Sequence, residues 1–445
     1  MKTNFKYFTF AIIGALFLLP AMSFGIGIGT SPAVAGIKID FIIFALTLVG
    51  VALFHKHTMY VALIGLALEL TTKIVFNADF SLVTHVFGNQ FHEGEWRTLL
   101  NLLGLLFGFS ILAKLFEDSG VPGHLPRYLP SGWLGGFVLL ILIAVISSFL
   151  DNIAAAMIGG AVAFIVYKQK VHIGFVAAII AASNAGGAGS VVGDTTTTLM
   201  WIDGVNALWV TKAFIGSVVA LSIFGVLAAR QQHKFQPILK EDVAAKIQWN
   251  NILVVVLILI LTIVTNWAFD FPALGVWIAI LIGALFVKTP WKEIPNALQG
   301  TIFLMALVFT ASLMPVNDLP TASWPTAFSL GFVSAVFDNI PLTKLCLVQG
   351  GYDWGILSFA VGFGGSMIWF GSSAGVALTN MYPEGRSVFA YIKAGWHITL
   401  AYIIGFMVML AIGQWNPHPS HKKVFDTVKE HATKVLQNEH TVIEK

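Results

Sequence analysis

Three aspartates stand where the chain is otherwise apolar. Asp151 lies in "SSFLDNIAA", between the greasy arms "GWLGGFVLLILIAVI" and "MIGGAVAFIVY"; Asp338 lies in "SAVFDNIPL" and Asp194 in "GDTTTT". A charged side chain at the centre of a membrane helix costs roughly 3 kcal/mol or more, so its presence there marks a functional site by default. Asn152 and Asn339 follow two of these acids and add neutral amide oxygens, while Thr195 to Thr198 add hydroxyl and backbone oxygens at a helix start. Carboxylates with such neighbours suit a hard cation. Burial favours the protonated acid and a bound cation favours the carboxylate, so one site can hold a proton or a metal ion in competition. The competing reading makes each Asp an ordinary helix N-cap at a membrane interface.

The elements that must position these residues follow from composition. Of 445 residues, 57% are hydrophobic and 11% charged, against roughly 25% charged in a soluble domain. The chain reads as an all-α polytopic membrane protein, with about 10–12 transmembrane segments including its irregular ones. Apolar runs occur near 39–54, 59–76, 98–116, 205–229, 249–268, 273–287, 299–314 and 389–413. Two hairpins, 132–167 and 324–349, surround Asp151 and Asp338, and two apolar segments, 171–202 and 354–380, are interrupted by glycine-rich stretches. Residues 1–25 read as a signal peptide or a first transmembrane helix. Residues 230–248 form a cytoplasmic linker, and 414–445 a polar tail with weak amphipathic spacing at Val424, Val428 and Leu436.

A net charge of +3 with no basic, aromatic-interleaved cluster gives no support for nucleic-acid binding. The single cysteine, Cys346, precludes an internal disulfide. There is no G-x-x-x-x-G-K-[ST] loop for a nucleotide and no H-E-x-x-H motif, so no cofactor is expected and transport should be secondary rather than ATP-driven. Glu69 and Lys73, at i, i+4 spacing, read as a local ion pair. His55 and His57, and His85, His92, Glu93 and Glu95, lack tight metal-ligand spacing.

Loop charges orient the segments. Lys56, Arg127, Lys168, Lys170, Arg230, Lys234, Lys240, Lys246, Lys288, Lys292 and Arg386 fall on one side, which the positive-inside rule makes cytoplasmic. The Asp151 hairpin then enters from the cytoplasm and the Asp338 hairpin from outside. "SSFLDNIAA" aligns with "SAVFDNIPL", and downstream Gly186-Gly187 and Gly193 match Gly364-Gly365 and Gly371. Residues 39–229 and 249–413 are therefore expected to be inverted-topology repeats, whose broken helices meet at a midplane site in secondary transporters. Hairpin arms of about 16 residues reach about 24 Å, short of a hydrocarbon core of about 30 Å, which favours re-entrant tips. An intramembrane hydrolase could use two carboxylates, but the repeat and glycine interruptions have no role in that chemistry, so an enzyme is not expected.

"SSFLDNI", "SNAGGAGSVVGDTTTTLMW", "SAVFDNIP" and "GFGGSMIWFGSSAGVALTNMYPE" resemble the NhaD-type sodium/proton antiporters of the ion transporter superfamily, over about residues 40–413. The resemblance implies a homodimer in the bacterial-type inner membrane, each protomer moving its hairpins and broken helices against a scaffold in an elevator-like way. It implies a site of Asp151, Asn152, Asp338 and Asn339 at the tips, with Asp151, Asn152, Asp338 and Asn339 the monovalent cation's candidate ligands. Ser183, Asn184, Asp194 and Thr195 would join from the first broken segment, and Ser366, Ser372 and Ser373 from the second. Where the antiporter-like pattern tends to carry hydroxyls after the first tip, this chain has Ile153-Ala154-Ala155-Ala156. The expected function is exchange of Na+, or another monovalent cation, for H+. The alternative is a cation-coupled carrier of an organic acid or oxyanion, for which Lys344, just after the second tip, is the residue to inspect.

Overall fold

The computed structural model describes residues 31–54, 57–77, 80–89, 94–239 and 246–419. Residues 1–25, the charges Lys56, Glu93 and Lys240, His55, His92 and the spacing at Val424–Leu436 lie outside them. A two-residue hairpin, Ala33–Val34 against Ile37–Lys38, precedes a series of helices among the described residues. The principal helices are α1 (Ile39–Leu53), α2 (Thr58–Phe76), α3 (Trp96–Asp118), α4 (Trp133–Ser147), α5 (Asn152–Val166), α6 (Ile173–Ala188), α7 (Thr195–Ile202) and α8 (Ala213–Phe235). They continue with α9 (Trp249–Phe269), α10 (Pro272–Gly283), α11 (Glu293–Ser312), α12 (Trp324–Val336), α13 (Asn339–Gln349), α14 (Trp354–Ser358), α15 (Ser373–Met381) and α16 (Trp396–Gly413).

Six described helical stretches are long and apolar enough to cross a membrane: Thr58–Phe76, Trp96–Asp118, Ala207–Phe235, Trp249–Phe269, Glu293–Ser312 and Trp396–Gly413. The chain is an all-α polytopic membrane protein. The apolar run 389–413 is divided at Gly395 into Val388–Ala394 and α16. A Cβ at Gly395 would lie 3.2 Å from Ala177, so the chain turns where it presses on α6.

Two apolar cores organise the bundle. The smaller joins α3, α9 and α10 through Leu105, Ile111, Ile258, Val276 and Ala279. The larger surrounds α6, whose residues Gly174 to Ala188 are all buried. A helix apolar on every side has no solvated face and must sit inside protein. Around it pack α4, α5, α8 and the second broken segment. That segment is α14, then a π-helical turn (Phe359–Phe363), a 3₁₀ turn (Gly365–Met367) and finally α15. Wide turns of this kind recur at functional sites within helices.

Two close approaches explain the paired glycines. A Cβ at Gly186 would stand 2.0 Å from the Ala144 carbonyl oxygen, and one at Gly364 2.5 Å from that of Gly331. Each broken segment thus touches the first arm of its own hairpin backbone to backbone. On the other flank, Lys73 of α2 pairs with Asp40 of α1 at 2.5 Å and with Glu69 at 3.9 Å. The expected local pair is therefore part of a buried triad whose shorter contact crosses between helices.

Candidate functional site

Each tip is an aspartate capping the helix that follows. Asp151 Oδ2 accepts the Ile153 amide at 3.1 Å, and Asp338 Oδ1 accepts the Ile340 amide at 3.0 Å. The cap satisfies an amide with no partner inside the helix, which is why α5 and α13 begin at Asn152 and Asn339. The other oxygen of each acid receives a hydroxyl from a broken segment: Thr195 donates to Asp151 Oδ1 at 3.4 Å, and Ser373 to Asp338 Oδ2 at 3.3 Å. Thr195 and Ser373 open α7 and α15. Four helix N-termini therefore gather around two half-buried carboxylates, and their partial positive charge supports the ionised acids.

Behind the tips, matching serines anchor matching carbonyls. Ser147 donates to the Ser183 carbonyl at 2.6 Å, and Ser334 to the Val361 carbonyl at 2.7 Å. The aligned sequences assign Ser147 to Ser334 and Ser183 to Val361, so the same contact occurs twice.

Asn184 lies at the centre. Its Oδ1 accepts from Asn152 Nδ2 at 3.0 Å, and its Nδ2 donates to Ser366 Oγ at 2.9 Å and Ser372 Oγ at 3.1 Å. One fully buried amide thus joins the first tip, the first broken segment and the second broken segment. Asp194 caps α7 through Oδ1, which accepts the Thr196 amide at 3.0 Å. Its Oδ2 is buried with no partner, and it lies within electrostatic reach of both Asp151 and Asp338. Capping was the competing reading for Asp194; the residue caps with one oxygen and presents the other.

The expected site residues thus converge, with one turned away. Asp151 meets Thr195, Asp338 meets Ser373, and Asn152, Asn184, Ser366 and Ser372 form one network. Asn339 is buried with Nδ2 unpartnered. The Ser183 hydroxyl points back to the Ile180 carbonyl at 2.9 Å, and only its own carbonyl serves the hairpin. Sequence reasoning did not single out Ser147 and Ser334 as anchors, although both stand at equivalent places in the quoted repeats. It also left Thr196 within the threonine run, where its hydroxyl is buried without a partner.

Lys344 faces away from an anion. It is 1% exposed and binds Glu95 at 2.9 Å and Asp203 at 3.4 Å. This neutralises the charge and ties α13 to the start of α3 and the end of α7. Among the described residues, no ion pair involves Asp151, Asp194 or Asp338.

No family model matches the chain. Curated relatives do. "Sodium/proton antiporter 1" of Arabidopsis thaliana is 27% identical over 348 residues, 67% of this chain and 57% of that protein. "Sodium/proton antiporter 2" of the same plant is 27% identical over 364 residues, covering 71% and 83%. "Na(+)/H(+) antiporter NhaD" of Alkalimonas amylolytica is 27% identical over 340 residues, covering 64% and 68%. The match thus takes in less than two thirds of the first relative and more of the other two. The chain is thus similar, at 27% identity over about two thirds of its length, to proteins named sodium/proton antiporters, NhaD among them.

Proposed function

We propose that the protein is a secondary transporter exchanging Na+, or another monovalent cation, for H+ across the inner (plasma) membrane. The observation that carries this reading is a group of three carboxylates, Asp151, Asp194 and Asp338, gathered with hydroxyls and amides and without a basic partner. A lysine or arginine in that position would neutralise the acids permanently. Without one, charge balance inside the membrane falls to a proton or a cation, and the two exclude each other. The names of the relatives agree with this chemistry.

The geometry of exchange is proposed with it. Helices α4 and α5, of 15 residues each, reach about 22 Å, and α12 and α13, of 13 and 11 residues, about 20 and 17 Å. All fall short of a core of about 30 Å, which supports re-entrant hairpins with tips at mid-membrane. The doubled contacts support an inverted repeat: Ser147 with Ser334, Thr195 with Ser373, Gly186 with Gly364. The two hairpins and two broken segments would move together against α3, α9 and α10, whose apolar core also takes in Leu150, Ile158, Val192 and Trp201 of the moving part. Such a division suits elevator-like alternating access in a homodimer.

An anion carrier is less well served. The four helix N-termini would attract an anion, but three carboxylates stand in front of them and Lys344 is already paired. The test is a pH-jump fluorescence assay in everted vesicles, adding sodium, lithium and potassium in turn. Dissipation of the proton gradient by one or more of these ions is expected. Uptake that depends on an organic acid or oxyanion, with no response to sodium alone, would favour the carrier.

A further inference from the structure

The repeat is followed closely by the backbone and broken at the centre of the site. Aligned by the tips and the Gly-Gly pairs, Asn152 corresponds to Asn339, Asn184 to Gly362, Ser366 to Ala188 and Ser372 to Asp194. On the first side the four residues satisfy one another: Asn152 donates to Asn184, and Asn184 donates to Ser366 and Ser372. On the second side Gly362, Ala188 and Asp194 also meet. A Cβ at Gly362 would lie 3.5 Å from the Cβ of Ala188 and 3.5 Å from Asp194 Oδ2. Here, however, the amide that would fill the centre is missing. Asp194 Oδ2 and Asn339 Nδ2, both in residues 2% exposed, are left buried and unpartnered.

We propose that this asymmetry makes the ion's seat: Gly362 keeps a side chain out of the space beside Asp194 Oδ2 that the Asn184 side chain fills on the other side. This rests on the cation-exchange reading and names the half of the site that holds the cation. The Asn184 cluster is neutral and complete, so it locks the two broken segments together and has no place for an ion. Its counterpart replaces an amide by nothing, one hydroxyl by a methyl group and the other hydroxyl by a carboxylate. An unpartnered buried carboxylate oxygen is costly, and a desolvated monovalent cation beside Asp194 Oδ2 relieves that cost. Asp338, within electrostatic reach of Asp194, adds charge from the tip. Gly362 is then a specificity-determining residue through the volume it leaves.

The test compares Gly362→Ala and Gly362→Asn with the unmodified full chain in everted vesicles, reading the apparent sodium and lithium affinity of proton exchange. Thermal unfolding of the purified protein in detergent is measured alongside. Gly362→Asn rebuilds the filled arrangement. It is expected to keep or raise the unfolding temperature while weakening apparent sodium affinity about tenfold or more, as loss of a supporting metal contact does. Gly362→Ala adds a methyl group at ordinary contact distance and is expected to weaken sodium more than the smaller lithium. Unmodified sodium affinity in a folded Gly362→Asn protein would overturn the proposal. If that variant does not fold, an unaltered lithium-to-sodium ratio in Gly362→Ala overturns it instead. Exchange by the unmodified protein with unaffected Gly362 variants refutes this seat alone; absence of exchange with every monovalent cation refutes the exchange reading and this inference with it.

Discussion

Asn184 shows what one side chain holds together. Its amide makes three hydrogen bonds to Asn152, Ser366 and Ser372, all inside the protein. Asn184→Ala would leave the Asn152 amide and the Ser366 hydroxyl in search of partners, each costing about 1–3 kcal/mol where no other partner or water is found, while Ser372 Oγ still accepts the Gly375 amide. A destabilisation of about 2–4 kcal/mol is expected, seen as a lower unfolding temperature in detergent. A variant that unfolds like the unmodified protein would mean that water replaces the network. The aspartates and their asparagines were legible in the sequence because polar residues in apolar arms have few structural reasons to be there. Asn152, Asn184, Ser366 and Ser372 were named as site residues, but that Asn184 bonds all three was not legible, since they meet only through tertiary packing. Gly362 was still less visible, because an absent side chain leaves no chemical signal.

At the scale of elements, backbone contact and buried charge set the geometry. Gly186→Ala would drive a methyl group into the Ala144 carbonyl at 2.0 Å, forcing α6 away from α4, a change of the overpacking kind that costs about 1–3 kcal/mol or more. Gly300→Ala in α11 meets nothing within 4 Å and should be neutral or stabilising by up to about 1 kcal/mol. Folded yield and unfolding temperature of the pair check this contrast, and equal effects would contradict it. Lys344→Met leaves Glu95 and Asp203 without their shared cation. Removing one member of a buried ion pair costs about 3–5 kcal/mol, so this variant should unfold well below the unmodified protein, by the same measurement. The glycine pairs were readable as interruptions of apolar runs. The Lys344 cluster was not, since its members come from three separated elements. The buried triad escaped for the same reason: Glu69 and Lys73 share a helix turn, whereas Asp40 reaches them from α1.

For the whole molecule, the distinction between re-entrant tips and full crossings is decisive. A tip at mid-membrane is shielded from the outer solution, whereas a cap at the far interface is open to it. Phe149, 56% exposed beside the first tip, can carry a reporter. The native Cys346 is buried and is first changed to alanine. Phe149→Cys should react more slowly with an impermeant thiol reagent added outside intact cells than a cysteine at Asp270, in the connection between α9 and α10. Equal rates would argue for a full crossing. The repeat was legible from the register of two Asp-Asn-Ile tips, and the doubled hydrogen bonds agree with it. Its broken symmetry at Gly362 could be seen only with both halves assembled.

The central claim is that the two tip carboxylates take part in exchanging a cation for protons. The most direct test is cation-dependent proton movement in everted vesicles carrying Asp151→Asn or Asp338→Asn, with the protein's amount and folding verified in the same membranes. Asparagine preserves the shape and can still cap its helix, but it cannot hold a proton or balance a cation's charge. Loss of exchange in both folded variants is expected. Exchange at the level of the unmodified protein in both would contradict the account.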